Sequence, residues 1–237
     1  MRVKLKNDLK FLAPVNVEMV RYGCVNDGGY VIPTIITTCS DGLISLGVGS
    51  DWSFEEEWHK NHINQSIHSY DGTIDFNRYS EETKNSYFNF FKEPIIHVQK
   101  NIGNGVNEVS IEQAINNIGC KNIFLKMDIE GNEYALIPNI VSNYNYITGL
   151  VIEFHGIREG RQQFLNAVIE LQKYYEVAHF HGNNWGNLCF DGFPDVVEMT
   201  FLRKDLCNTD NRRLEIYLEN IDTPNFTFRE EYYFYFE

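Results

Sequence analysis

LISLGVGSDWSFEEEW, residues 43–58, joins a short apolar run to a glycine turn and then to an acidic helix start. The run 43–48 has the length and composition of a buried strand, and Gly49, Ser50 and Asp51 close it. Ser53 is the expected N-cap of the helix that follows. Glu55, Glu56 and Glu57 then fall in the first turn, where the helix dipole favours negative charge. The same alternation recurs downstream. SIHSY (66–70) ends at Asp71-Gly72, and IIHV (95–98) reads as a third strand. Ser110 and Gln113 form a capping box that opens SIEQAINNI. NIFLKM (122–127) stops at Asp128, Gly131 marks a turn, and NEYALIPNIV reads as a short helix interrupted by Pro138. ITGLVIEF (147–154) is a fifth strand. A helix over 158–174 follows, with Phe164, Val168, Ile169 and Leu171 as its apolar positions.

EVAHF (176–180) and VVEMTFL (196–202) are the last strands, joined by a loop alone, and are expected to form an antiparallel hairpin at one edge. Strands alternating with helices predict an α/β fold around a mostly parallel sheet. The chain reads as a single domain over 1–237. Residues 1–40 and 205–237 lack the alternation and read as an N-terminal extension and a C-terminal tail. Residues 74–93, rich in Asn, Tyr and Phe, read as an insertion beside the ligand pocket.

Twenty Lys and Arg stand against 33 Asp and Glu, a net charge of -13. A surface of that sign repels phosphate backbones and anionic lipid, so neither nucleic acid nor a membrane is the expected partner. No run approaches the roughly 18 apolar residues of a membrane span. The basic start MRVKLKNDLKFLAP lacks the apolar core of a signal peptide. Five scattered cysteines, Cys24, Cys39, Cys120, Cys189 and Cys207, with no CxxC, read as reduced thiols of a cytoplasmic protein.

In open parallel sheets, ligands bind beyond the carboxyl ends of the strands, where strand order reverses. The polar residues that follow each strand are therefore the site candidates. Gly47-Val48-Gly49 allows close backbone approach, although Trp52 stands where a dinucleotide fingerprint has its third glycine. Asp71, 24 residues after Gly47, suits the two hydroxyls of an adenosine ribose. Taken singly, each feature is also an ordinary turn. Asp128, Glu130 and Glu133 place three carboxylates within six residues of a strand end. Glu153 and His155 end another strand. His179 and His181 share a strand face, ahead of Asn183 and Asn184.

Four stretches in order, NDGGYVIP (26–33), LISLGVGSDWSFEEEW (43–58), LKMDIEGNEYALI (125–137) and HGNNWG…PDVVEMTFLRKD (181–205), resemble the FkbM-like S-adenosylmethionine-dependent methyltransferases. The last stretch is similar to a branch associated with surface-sugar modification. The resemblance implies a class I methyltransferase fold, a Rossmann-like sheet of seven strands with helices on both faces and the last strand antiparallel. It further implies S-adenosylmethionine as cofactor. Gly47 and Gly49 would lie by its methionine part, Asp71 at the ribose, and Asn101 and Ile102 beside the adenine, with Asp51 and Asp128 as further cofactor contacts. Asn26, Asp27 and Gly28 match the family's DGGY signature and would bind the cofactor or the acceptor. The implied reaction is O-methylation of a sugar hydroxyl in capsular or lipopolysaccharide assembly, on a small-molecule or polysaccharide-linked acceptor.

A sugar hydroxyl is a weak acid, so its methylation needs a base or a metal. One expectation is a Mn²⁺ or Mg²⁺ site of Asp128, Glu153 and His181, with His155 as general base or as a partner to the ligands. The other has no metal, with His155 or His181 as base and Asp128 orienting it. A metal-independent methyltransferase of a small molecule or an amine, a nicotinamide-dependent oxidoreductase, and a nucleotide- or sugar-binding protein are the rival functions. Oligomeric state is open, with a homodimer one reading of the aromatic tail 231–236.

Overall fold

The computed structural model describes residues 1–209 and 211–236. The N-terminal segment gives β1 (Arg2–Leu5), β2 (Met19–Tyr22), β3 (Tyr30–Pro33) and the single-turn α1 (Ile36–Cys39). Next come β4 (Gly42–Leu46), α2 (Ser53–Asn61), β5 (Ser66–Tyr70), α3 (Glu81–Phe90), β6 (Ile95–Val98), α4 (Ile111–Ile118) and β7 (Ile123–Met127). The last part gives α5 (Glu133–Ser142), β8 (Ile147–Phe154), α6 (Ile157–Leu171), β9 (Tyr175–Gly182), β10 (Val197–Arg203) and β11 (Tyr233–Phe236).

Seven of these strands form one sheet in the order β6-β5-β4-β7-β8-β10-β9. Pairs among β6, β5, β4, β7 and β8 are all parallel, and β10 runs antiparallel to both β8 and β9. Numbered within the sheet, the order is 3-2-1-4-5-7-6, the class I methyltransferase arrangement. Alternation along the strands builds a core on each face. Ile44, Leu125 and Ile152 face a cluster with residues of α4, α5 and α6. Leu43, Phe124 and Val151 face one with β2, β3 and α2, where Trp58 and Phe124 stack at 5.4 Å.

The ends of the chain join these cores. β1 pairs in parallel with β11, and Leu5, Leu9, Leu12, Phe234 and Phe236 are buried with the sheet residues of the first cluster. The β2–β3 hairpin supplies Tyr22, Tyr30, Val31 and Ile32 to the second.

Several local expectations change. Ser53 is the first residue of α2 and does not cap it. The Asp51 carboxylate takes that place by accepting the Ser53 N–H at 2.8 Å, while the Ser53 hydroxyl accepts the Cys24 N–H. α5 runs through Pro138. The proline deletes one bond to the Tyr134 carbonyl, and burial of Leu136, Ile137 and Ile140 keeps the helix intact. Ile169 of α6 faces solvent, whereas Phe164, Val168 and Leu171 are buried. The capping box of Ser110 and Gln113 is formed with both reciprocal bonds. α3 lies in the crossover between β5 and β6, and the Tyr79 hydroxyl before it donates to the Gly49 carbonyl at 2.6 Å. No helix among the described residues is long and apolar enough to cross a membrane.

Candidate active site

β4 sends the next strand in sequence to one side, through β5, and a later one to the other, β7, so the sheet order reverses between β4 and β7. A hollow of about 240 Å³ opens there, lined by Gly47–Gly49, Tyr70, Asp71, Thr73, Asn101, Ile102, Asp128–Glu130 and Asn132. Gly47 has φ +79, and a Cβ on it would fall 1.6 Å from the Asp128 carbonyl oxygen. Only glycine lets the loops after β4 and β7 come this close. Lys126 supports the turn from below. Its ammonium donates to the Gly47 carbonyl at 2.8 Å and lies 3.5 Å from the buried Glu55 carboxylate, which also accepts from Ser45.

Asp71 lines this hollow with its carboxylate turned into the protein. Oδ2 accepts the Val48 and Gly49 N–H groups at 3.0 and 2.8 Å, and Oδ1 accepts the Thr73 N–H and hydroxyl at 2.7 and 2.6 Å. Burial works to raise its pKa, but these bonds hold it below the usual carboxylate value. Asp71 thus shapes the glycine turn directly. Asn101 accepts the Gly72 N–H, and buried Ile102 offers an apolar wall.

Beyond Asp128 lies a second hollow, lined by Asp27, Asp128, Glu130, Glu153, His155, Asn183, Trp185, Gly186 and Val196. Asp128 and Glu130 belong to both hollows. Glu130 adopts a left-handed φ of 56, followed by Gly131 at 106, and this turn carries the chain from β7 into α5. A non-glycine residue there costs about 1 kcal/mol. The turn is braced by Glu133, whose Oε1 accepts the Gly131 and Ile129 N–H groups at 2.9 and 3.3 Å.

The same Glu133 oxygen lies 3.0 Å from His155 Nδ1. The remaining nitrogen, Nε2, faces Glu130 and Glu153 at 3.6 Å and Asp128 at 4.0 Å. Burial alone would lower the His155 pKa, but the Glu133 bond and the charges of Glu153, Glu133 and Asp128 raise it to about 9. Glu153 is raised well above the usual carboxylate value by burial and by the charges of Asp128 and Glu198. The Tyr30 hydroxyl bridges these two, 2.9 Å from Asp128 Oδ2 and 3.2 Å from Glu153 Oε2. Asn183 donates to Glu153 Oε1 at 2.8 Å.

The expected metal triad of Asp128, Glu153 and His181 is not assembled. Glu198 on β10 is the cross-strand partner of both Glu153 on β8 and His181 on β9, so it stands between them in one row. Adjacent strands lie about 4.8 Å apart, which puts His181 two strand spacings from Glu153. Its Nδ1 lies 3.1 Å from Glu198 and its Nε2 3.3 Å from Glu231. Burial opposes its charge, but these two carboxylates hold its pKa well above the ordinary value. His181 is also removed from the role of base, because both nitrogens face carboxylates and the ring is buried. The three groups whose ligand atoms lie within 4.8 Å of one another are Asp128, Glu130 and His155. Two carboxylates and an imidazole suit Mn²⁺ or Mg²⁺. Glu133 on Nδ1 stands where an outer carboxylate would orient a ligating histidine.

The other expected residues separate by role. Asp27 reaches the second hollow, whereas Asn26 turns away and donates to the Pro224 carbonyl at 2.7 Å. Gly28, with φ +84, packs on Asp51, where a Cβ would sit 2.6 Å from Oδ2. Asp51 therefore braces the loop and lines neither hollow. Asn184 binds the tail, and His179 pairs with Asp222. Tyr30 and Glu198 are site residues that the sequence reading assigns no role. Glu198, a lone charge inside the apolar run VVEMTFL, carries a visible signal, and Tyr30 is the tyrosine that ends the DGGY stretch.

No protein-family model matches the chain, and no curated protein matches it. Solved structures do resemble it. The Geobacter metallireducens precorrin-6y C5,15-methyltransferase is 14% identical, with 68% of this chain and 80% of that one covered and a TM-score of 0.41. A putative tRNA (m1A22) methyltransferase of Streptococcus pneumoniae, solved with S-adenosyl-L-methionine, is 11% identical over 71% and 70% of the two chains, TM-score 0.42. The Methanococcus jannaschii fibrillarin pre-rRNA processing protein is 9% identical over 71% and 68%, TM-score 0.42. At these values the fold stands on the strand order and pairing of the chain itself.

Proposed function

We propose that the chain is an S-adenosylmethionine-dependent O-methyltransferase of the FkbM-like kind, acting on a sugar hydroxyl in the assembly of a capsular or lipopolysaccharide glycan. The observation that carries this reading is the junction of the two hollows at Asp128 and Glu130. Methyl transfer requires donor and acceptor to meet in line, and alignment contributes several kcal/mol. The hollow at the reversal point, with Gly47, Gly49, Tyr70, Asn101 and Ile102, suits an adenosyl cofactor, which when bound supplies an activated methyl group. The neighbouring hollow suits the acceptor.

The acceptor hollow favours a polyol. Asp27, Glu153 and Asn183 offer hydrogen-bonding groups, half-exposed Trp185 offers an apolar face, and no Lys or Arg among the described residues lines the wall. An acid-lined hollow of this kind repels a phosphate backbone, which argues for a sugar over a nucleic acid.

At neutral pH, His155 carries a proton among four carboxylates and cannot act as a base. A divalent cation on Asp128, Glu130 and His155 would take the place of that charge and make a bound hydroxyl more acidic. Glu133 then holds the proton on Nδ1 and leaves Nε2 for the cation.

Calorimetric titration with S-adenosylhomocysteine, with Mn²⁺ and separately with a chelator, tests the reading. Micromolar binding, followed by Mn²⁺-stimulated turnover in a screen of activated sugars and methyl glycosides, is the expected result. No binding under either condition would overturn it in favour of a nucleotide- or sugar-binding protein or a nicotinamide enzyme.

A further inference from the structure

Among the described residues, the C-terminal tail supplies no side chain to either hollow, yet it is fastened to both walls of the second. On one side lie residues 25–27. The Thr223 hydroxyl donates to the Val25 carbonyl, Asn26 donates to the Pro224 carbonyl at 2.7 Å, and Asn225 donates to the Asp27 carboxylate at 3.3 Å. On the other side lie residues 184–186. Asn184 exchanges two bonds with Phe226, donating to its carbonyl at 3.1 Å and accepting its N–H at 2.7 Å. Arg229 donates to the Asn184 and Trp185 carbonyls at 3.0 and 2.6 Å, and Tyr232 donates to the Gly186 carbonyl. The Trp185 indole stacks on Phe226, with centroids 4.1 Å apart and planes 24° apart.

Asn225 is the midpoint of this strap. It is buried, and its amide nitrogen donates both to Asp27 and to Glu198, the carboxylate that also faces His181. One side chain therefore positions a residue of the hollow on the β2–β3 loop against the sheet. Its neighbour Phe226 stacks against one face of the half-exposed Trp185 ring. Val25 and Trp185, the large apolar residues of these two loops, are exposed, and ligand-binding loops are drawn from the less stable parts of a fold.

We propose that residues 222–232 form a strap that builds the acceptor half of the site, with Asn225 and Phe226 as positioning residues that act through Asp27 and Trp185. This rests on the second hollow being the acceptor site. The strap's geometry, however, is independent of the chemistry. Without it, Asp27 and Trp185 remain in the chain but lose their fixed separation. A displacement of about 1 Å in a positioning element is enough to cost on the order of 100-fold in turnover efficiency.

The test compares Asn225→Ala, Phe226→Ala and the ring-preserving Phe226→Tyr with the parent protein. Hydrogen exchange should speed up at 25–28 and 184–187 together in both alanine variants, while 47–49, 71–73 and 128–132 keep their protection. S-adenosylhomocysteine affinity should stay within about two-fold. With a methyl glycoside that turns over, KM for the sugar should rise ten-fold or more in the alanine variants, kcat should change less, and Phe226→Tyr should restore KM. The strap is overturned if exchange at those two loops is unchanged, if it rises equally in the cofactor hollow, or if KM does not move. Failure of the parent protein to bind S-adenosylhomocysteine would sink the methyltransferase reading instead, and the exchange pattern would still decide whether the tail holds the two walls.

Discussion

The Nε2 of His179 lies 2.9 Å from Oδ1 of Asp222, and both side chains are buried. One residue comes from β9 and the other from the tail, so the contact is a buried polar tie between the sheet and the strap that ends the chain. Burial opposes the Asp222 charge, but the charges of His179 and His181 and the Leu218 N–H hold its pKa near 2, below the ordinary value of 3.8. The unfolded chain thus takes up this proton more readily than the folded one. The stability that Asp222 contributes is complete above pH 3.8 and is lost as pH falls through about 2. Asp222→Asn should cost about 1–3 kcal/mol, because it removes the carboxylate that meets the buried His179 ring and accepts the Leu218 N–H. It should also flatten the acid limb of the stability curve between about pH 4 and 2. Urea melts across that range check both effects.

Two glycines in one turn separate packing from backbone strain. Gly47→Ala would drive a Cβ to within 1.6 Å of the Asp128 carbonyl oxygen, with φ already at +79. Gly49, at φ +56, has nothing within 4 Å of the added atom. Gly47→Ala is expected to abolish S-adenosylhomocysteine binding and to lower stability by several kcal/mol, the scale of overpacking added to strain. Gly49→Ala should cost about 1–2 kcal/mol and leave measurable binding. Thermal melts and calorimetry on the pair distinguish them, and equal behaviour would mean that the loops after β4 and β7 are not in contact.

The histidines give an opposed pair of outcomes. His155→Ala or Asp128→Asn should weaken Mn²⁺ binding about ten-fold or more, since each removes a ligand atom from the group of three. His181→Ala should leave Mn²⁺ affinity unchanged, because Glu198 and Glu231 enclose the ring. Glu133→Gln should weaken Mn²⁺ by a smaller factor through the tautomer of His155. Electron paramagnetic resonance of free Mn²⁺ during titration measures all four. Loss of binding in His181→Ala with retention in His155→Ala would restore the triad expected from the sequence.

The strands and the loops that end them were legible because they depend on short-range patterns. Apolar runs ending in Gly47, Asp71, Asp128 and Glu153 mark strand ends, and in a parallel sheet strand ends share one edge. What could not be read was lateral position. Glu153 and His181 both follow the pattern of a strand-end ligand, but the insertion of β10 between β8 and β9 places Glu198 between them. Nothing in the spacing of Glu153 and His181 encodes that intervening row. The tail was illegible for a related reason. Asp222, Asn225 and Glu231 have no periodicity, and their partners His179, Asp27, Glu198 and His181 lie far away in sequence. Asp71 illustrates a third limit, because its residue type suits a ribose but does not reveal that its oxygens also accept four local donors that shape the glycine turn.

Lys126 and Glu55 form a deeply buried ion pair under the glycine turn, with side chains 4% and 0% exposed and 3.5 Å between the charged atoms. A pair this dry gains little over an apolar replacement, because desolvation of both charges offsets their attraction. Removing one partner is a different matter. Lys126→Met would leave Glu55 buried and uncompensated and should cost about 3–5 kcal/mol. The double variant Lys126→Met with Glu55→Gln should recover a large part of that loss. Stability and cofactor binding should then part company. The double variant still lacks the ammonium that donates to the Gly47 carbonyl at 2.8 Å, and Lys126 also lies 5.5 Å from the centre of the Tyr30 ring. Its S-adenosylhomocysteine affinity should therefore remain below that of the parent protein even where its urea midpoint approaches it. Recovery of both together would mean that the lysine serves the fold alone, and recovery of neither would mean that the turn depends on the charge itself.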